Sequence, residues 1–169
     1  MNAIELLKAD HARVQELFRQ YEKAGGQHRE IAEQIFTELE MHTMLEEELF
    51  YPALRGRVKP ETLELDPSTA EEETEDEEAD LVAEDEDLVT EALEEHREVK
   101  SLIATLRTLD PRDAQFQTTF AELREGVEGH VGMEEDELMP DAEAVLGDEL
   151  ERLGRQMEER KKQLTAGKS

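Results

Sequence analysis

Ile4, Leu7, His11, Val14, Phe18 and Tyr21 recur at spacings of three and four. That interval places them along one face of an α-helix. The pattern returns three more times, through Ile31, Ile35, Leu39, His42, Glu46 and Leu49, then Leu88, Ala92, His96, Val99, Ile103 and Leu106, then Phe116, Phe120, Leu123, Val127, His130 and Glu134. Gly25-Gly26 ends the first stripe, Pro52 and Gly56 the second, Asp110-Pro111 the third and Pro140 the fourth. No segment sustains a period of two. Four long amphipathic helices with short first and last connections predict an all-α fold, an antiparallel up-down four-helix bundle. A further short helix is expected to carry Leu150, Leu153, Met157 and Leu164 on one side. The expected layout is a bundle over residues 1–146, with an acidic insertion at about 57–87, and a C-terminal helix and tail over 147–169.

The insertion dominates the charge of the chain. Residues 71–87 hold twelve acids and no base. Such a run is expected to be a solvated spacer, and its Glu and Ala residues favour extension of the third helix. Across 169 residues, 46 Asp and Glu face 19 Lys and Arg, a formal net charge of −27. That balance argues against nucleic acid and anionic membranes as partners, because both require a basic surface. No apolar run approaches the roughly 18 residues of a membrane span. The N-terminal residues Met1 to Glu5 lack a secretion signal, so a cytoplasmic location is expected. With no cysteine, disulfides, zinc ribbons, iron–sulfur clusters and thiol nucleophiles are excluded.

Polar residues stand at inward positions of all four stripes: His11, His42, Glu46, His96, His130 and Glu134. Burying carboxylates without partners costs several kcal/mol each. Bound cations remove that penalty and use histidines as neutral nitrogen ligands. His-x-x-x-Glu occurs at His42/Glu46 and His130/Glu134, and residues four apart lie one helical turn from each other. The halves also repeat. Asp10-His11-x-x-Val14-x-x-Leu17 matches Glu95-His96-x-x-Val99-x-x-Leu102, and Glu46-Glu47 and Glu134-Glu135 each precede a proline ten residues past the histidine. Two equivalent half-sites, each with two histidines and with carboxylates between them, are therefore expected. The chain has no Glu-x-x-His, no His-Glu-x-x-His, no glycine-rich phosphate loop and no EF-hand loop.

The ordered set His, His-x-x-x-Glu, His, His-x-x-x-Glu, with the stretches Glu46-Glu47-Glu48-Leu49-Phe50-Tyr51-Pro52 and Glu95-His96-Arg97-Glu98-Val99-Lys100, resembles the hemerythrin-like, or HHE cation-binding, family. The likeness covers about residues 3–55 and 85–142. It implies two non-haem iron ions with a bridging oxo or hydroxo group. His11 and His42 would hold one ion, His96 and His130 the other, with Glu46 and Glu134 bridging. Imidazole alone also suits zinc, copper and nickel, so iron rests on the resemblance. Oxygen-carrying members have a further histidine where this chain has Ala92. Glu38 and Glu137 are possible substitutes, although solvated acids are the simpler expectation for both.

This pattern implies a binder of a small diatomic ligand, O2 or NO. The missing histidine equally admits an enzyme acting on peroxide or NO. A third reading is iron homeostasis or sensing, with a separate redox or signalling partner. Among the remaining residues, His28 is expected at the surface, and Phe18, Phe50, Phe116 and Phe120 in the core. Gly126, Gly129 and Gly132 crowd the helix around His130, where close helix approach or room for a ligand would compensate their poor helix propensity.

Overall fold

The computed structural model describes residues 1–56 and 75–167, with side chains of 56 and 75–87 left aside. Of the acidic insertion expected at about 57–87, residues 57–74 lie outside the described residues. So do the side chains of 75–87, whose backbone extends the third long helix.

Helix α1 (Ala3–Lys23) opens on a capping box: Asn2 Oδ1 accepts from Glu5 N, and Asn2 N donates to Glu5 Oε2. It ends where Gly25 and Gly26 take φ of 98° and 73°, a turn that favours glycine. The Tyr21 hydroxyl ties that turn down by donating to Gly26 O at 2.6 Å. Exposed His28 caps α2 (Arg29–Leu45), accepting from Ile31 N. The second half repeats the hairpin, with α4 (Glu75–Arg107) turning through Asp110-Pro111 into α5 (Ala114–Met133).

Neither α2 nor α5 stops at its proline. Each passes through a π-helical turn, Glu46–Phe50 or Glu134–Leu138, and resumes as α3 (Tyr51–Gly56) or α6 (Met139–Leu146). The prolines, Pro52 and Pro140, stand two residues past the ends of these turns. A proline ring clashes with the carbonyl four residues earlier in an α-helix, and the wider π turn relieves that clash. The fourth helical rod therefore runs six residues beyond Pro140, to Leu146.

The final helix, α7 (Glu149–Ala166), is 18 residues long and packs on α1 and α2. Leu150, Leu153, Gly154 and Met157 form its buried side; Leu164, expected on that side, packs only partly buried. No helix of the described residues is long and apolar enough to cross a membrane.

The core has two apolar regions. One gathers Leu7, Leu45, Phe50, Leu54, Ala92, Leu138 and Met157. The other gathers Val14, Phe18, Leu39, Val99, Phe116, Phe120 and Val127. Each long helix passes from one region to the other across a single polar layer: His11 between Leu7 and Val14, His42 between Leu39 and Leu45, His96 between Ala92 and Val99, and His130 beyond Val127. Full burial of a Leu or Phe side chain is worth about 1.5–3 kcal/mol. The two regions thus supply the stability that holds this layer in place.

Candidate metal centre

All six polar residues singled out on the stripes are buried, and they converge. His11 Nε2 lies 3.1 Å from His42 Nε2, and His96 Nε2 lies 3.2 Å from His130 Nε2. Glu46 is shared between these pairs. Its Oε1 is 2.5 Å from His42 Nε2, whereas its Oε2 is 3.0 Å from His96 Nε2 and 3.6 Å from His130 Nε2. Glu134 Oε1 is 2.7 Å from His130 Nε2 and 3.5 Å from His11 Nε2. Two groups of converging atoms result, His11, His42, Glu46 and Glu134 in one, and Glu46, His96 and His130 in the other.

The fit to cations shows in what these atoms lack. Glu46 Oε1 and Glu134 Oε1 are buried and have no hydrogen-bond partner, despite the nitrogens close by. Leaving a buried acceptor unpaired costs about 1–3 kcal/mol. Nitrogen and oxygen lone pairs aimed at common points are the donor set for a metal ion, so the residues fit the group expected from the sequence.

Burial and neighbouring charges act on these groups in opposite directions. Burial pushes His42 down, but the Glu46 charge and contacts with Asp10, Glu134 and Glu46 raise it well above its ordinary value. Burial likewise opposes protonation of His130, yet Glu134, Glu46 and Glu95 push it up to about 12. Burial and the Glu46 charge push Glu134 up, and contacts with His11, His130 and His42 reverse this, holding it down at about 2. Burial also works against an ionised Glu46, but the surrounding histidines hold it well below its ordinary value.

Tyr51 is a site residue that the periodicity did not reveal. Its hydroxyl donates to Glu46 Oε2 and lies 3.2 Å from His96 Nε2 and 3.3 Å from Glu134 Oε2. Burial, then the charges of Glu46 and Glu134, raise its pKa, so the phenol keeps its proton in this arrangement. Tyr51 packs in the same apolar region as Ala92, the position where a histidine was missing. Glu38 and Glu137 are not brought to the centre. Glu38 pairs with Arg13 at 2.8 Å, and Glu137 is exposed.

Each of the four clustered histidines also has a carboxylate oxygen within 4 Å of its Nδ1 atom. Asp10 Oδ2 is 3.3 Å from His42 and Glu95 Oε2 is 3.0 Å from His130. Glu135 Oε1 stands 3.7 Å from His11, and Glu47 Oε1 3.9 Å from His96. A hydrogen-bonded outer carboxylate fixes the tautomer and orientation of a ligating imidazole; Asp10 and Glu95 are so bonded, whereas His11 Nδ1 and His96 Nδ1 have no hydrogen-bond partner. All four carboxylates are sequence neighbours of a candidate ligand. The repeated doublets Asp10-His11, Glu95-His96, Glu46-Glu47 and Glu134-Glu135 were their signal. The glycines around His130 serve no close helix contact: a Cβ on Gly126, Gly129 or Gly132 would meet nothing within 4 Å.

Known proteins resemble this chain in sequence and in fold. The family model for the hemerythrin HHE cation-binding domain matches residues 2–92 and again residues 87–169. The two matches divide the chain as its internal repeat does. Uncharacterized proteins of Mycobacterium tuberculosis (Rv2633c) and Mycobacterium bovis (Mb2666c) are each 27% identical over 169 residues, covering 97% of this chain and 88% of theirs. A hemerythrin HHE cation-binding domain-containing protein from Mycobacterium kansasii, a homologue of Rv2633c, has a crystal structure of the same fold. It aligns with a TM-score of 0.73 at 24% identity, over 99% of this chain and 89% of that one.

Proposed function

The chain belongs to the hemerythrin HHE cation-binding domain family, and from that membership we propose that it holds two non-haem iron ions and binds a small diatomic ligand, O2 or NO. The observation that carries the dinuclear reading is Glu46, which turns Oε1 toward His42 and Oε2 toward His96 and His130. A single carboxylate facing two nitrogen pairs is the geometry of a bridge. Ligand softness favours no metal beyond those that accept imidazole and carboxylate, and the family supports iron.

When bound, such an ion pair supplies exchangeable coordination positions and one-electron oxidation of each ion. The chain supplies the rest. His11 and His42 serve one position, and His96, His130 and Tyr51 the other. Glu46 and Glu134 offset positive charge. The apolar regions on either side keep bulk water and large molecules from the polar layer.

A second reading, an enzyme acting on peroxide, draws support from Tyr51. Its Oη carries a proton at the point where Glu46, Glu134 and His96 meet. Cleavage of an O–O bond needs a proton delivered at such a point. Elemental analysis comes first: about two irons per chain supports the dinuclear reading, and none after iron loading defeats it. Optical titration of the reduced protein with O2 and NO then tests ligand binding. Peroxide consumption by the intact protein and by His42→Ala tests turnover, and equal rates from both defeat that second reading.

A further inference from the structure

Helix α7 follows the second half-repeat but packs on the first hairpin, α1 and α2. Its ionic contacts include one to the π turn that follows α2 and one to α1. Arg160 Nε donates to Glu48 Oε2 at 2.8 Å, at the surface. Lys161 Nζ donates to Asp10 Oδ1 at 2.5 Å, and Asp10 is only 5% exposed. The other oxygen of that carboxylate faces His42 Nδ1. A chain of three side chains therefore leads from the C-terminal helix to a candidate ligand. In the other half-repeat Glu95 holds the place of Asp10 against His130. Among the described residues, Glu95 has no ion pair with lysine or arginine.

We propose that Lys161 is a positioning residue for the metal centre. By fixing one oxygen of Asp10, it directs the other onto His42 Nδ1 and so aims His42 Nε2 at the metal position it shares with His11. A carboxylate free to rotate would orient the imidazole less well, and outer partners of metal-bound histidines are commonly worth 10–100-fold in affinity. The effect falls on one metal position, because Asp10 faces His42 alone among the four histidines. The inference rests on the dinuclear reading.

The test uses the full chain, cobalt(II) and a competing chelator. Cobalt is silent toward oxygen chemistry in this assay, and its visible bands report coordination geometry. Wild type should take two ions tightly. Lys161→Met should keep one and weaken the other by about tenfold, with altered bands. Lys161→Arg should retain both, and Arg160→Met, which loosens α7 without touching Asp10, should match wild type. Circular dichroism checks the fold, and Lys161→Gln replaces the Met variant if that variant does not fold. Equal binding by Lys161→Met and wild type overturns the proposal. So does equal weakening of both ions, failure of the Arg variant, or the same loss in Arg160→Met. Wild type that takes fewer than two ions overturns the dinuclear reading and this inference with it.

Discussion

Tyr51 and Met139 stand at the same point of the two half-repeats. Each backbone N–H reaches back five residues to the carbonyl of a site glutamate, Tyr51 to Glu46 and Met139 to Glu134. Of the two, only Tyr51 carries a polar group into the cage, so the pseudo-symmetry of the fold is broken at the polar layer. Tyr51→Phe removes the hydroxyl and keeps the ring that fills the apolar region. The iron-loaded variant is expected to hold two irons and to lose any phenolate-to-ferric charge-transfer band in its visible spectrum. A wild-type spectrum without that band, unchanged in the variant, would remove Tyr51 from the ligand set.

Metal uptake should release protons. Without metal, His130 is pushed up to about 12 and His42 well above its ordinary value, so both carry protons at neutral pH. A metal takes only the neutral imidazole. Affinity should therefore rise with pH across the neutral range, and an indicator dye in weakly buffered solution should record acidification on adding metal. No proton release at pH 7 would mean the histidines are already neutral.

The same shifts set the pH stability of the metal-free protein. His130 is raised from 6.5, so its contribution is full below about 6.5 and fades as pH rises toward about 12. Glu134 is lowered from 4.5, so its contribution is present above about 4.5 and lost as pH falls toward about 2. Thermal melts of chelator-treated protein should peak between those limits, near pH 5–6. A flat profile from pH 4.5 down to 2 would show that the carboxylate is not held ionised.

Chelation should lower the melting temperature while leaving the helices formed. The polar layer lies between two apolar regions built from other residues. A ligand bound only by the folded state adds about 2.7 kcal/mol at a hundredfold excess over its dissociation constant. Loss of helical circular dichroism on chelation at 25 °C would instead show that the metal is required to fold.

The four histidines and two glutamates were legible because they fall on the period of an α-helix. Tyr51 was not, because the π turn changes that period. Five residues advance an α-helix by 500°, leaving Tyr51 about 140° from Glu46. The wider turn brings residue five back over residue zero, onto the face of the cage. Nothing in apolar periodicity encodes that shift, although proline six residues past the glutamate in both halves marks its cause. The outer carboxylates escaped for a different reason. Asp10 and Glu95 precede candidate ligands on their own helices but serve the histidine of the neighbouring helix, a pairing set by packing rather than spacing.

Glycine shows the same division between spacing and packing, and it yields the sharpest stability contrast. Gly126, Gly129 and Gly132 stand out in the sequence, but a Cβ at any of them meets open space. Gly126 and Gly129 are exposed within a helix, so Gly126→Ala and Gly129→Ala should each stabilise by about 0.5–1 kcal/mol. Gly154 looks unremarkable in the sequence and is the one that matters to packing. A Cβ there would lie 2.4 Å from Met1 O, 2.7 Å from Asn2 C and 2.8 Å from Ala3 N. These are backbone atoms around the capping box of α1, which cannot rotate away as a side chain could. Gly154→Ala should therefore outweigh its gain in helix propensity and destabilise by about 1–3 kcal/mol. Urea melts of the three variants test both signs. A Gly154→Ala protein as stable as wild type would show that α7 does not hold the N-terminus of α1 as closely as these distances require.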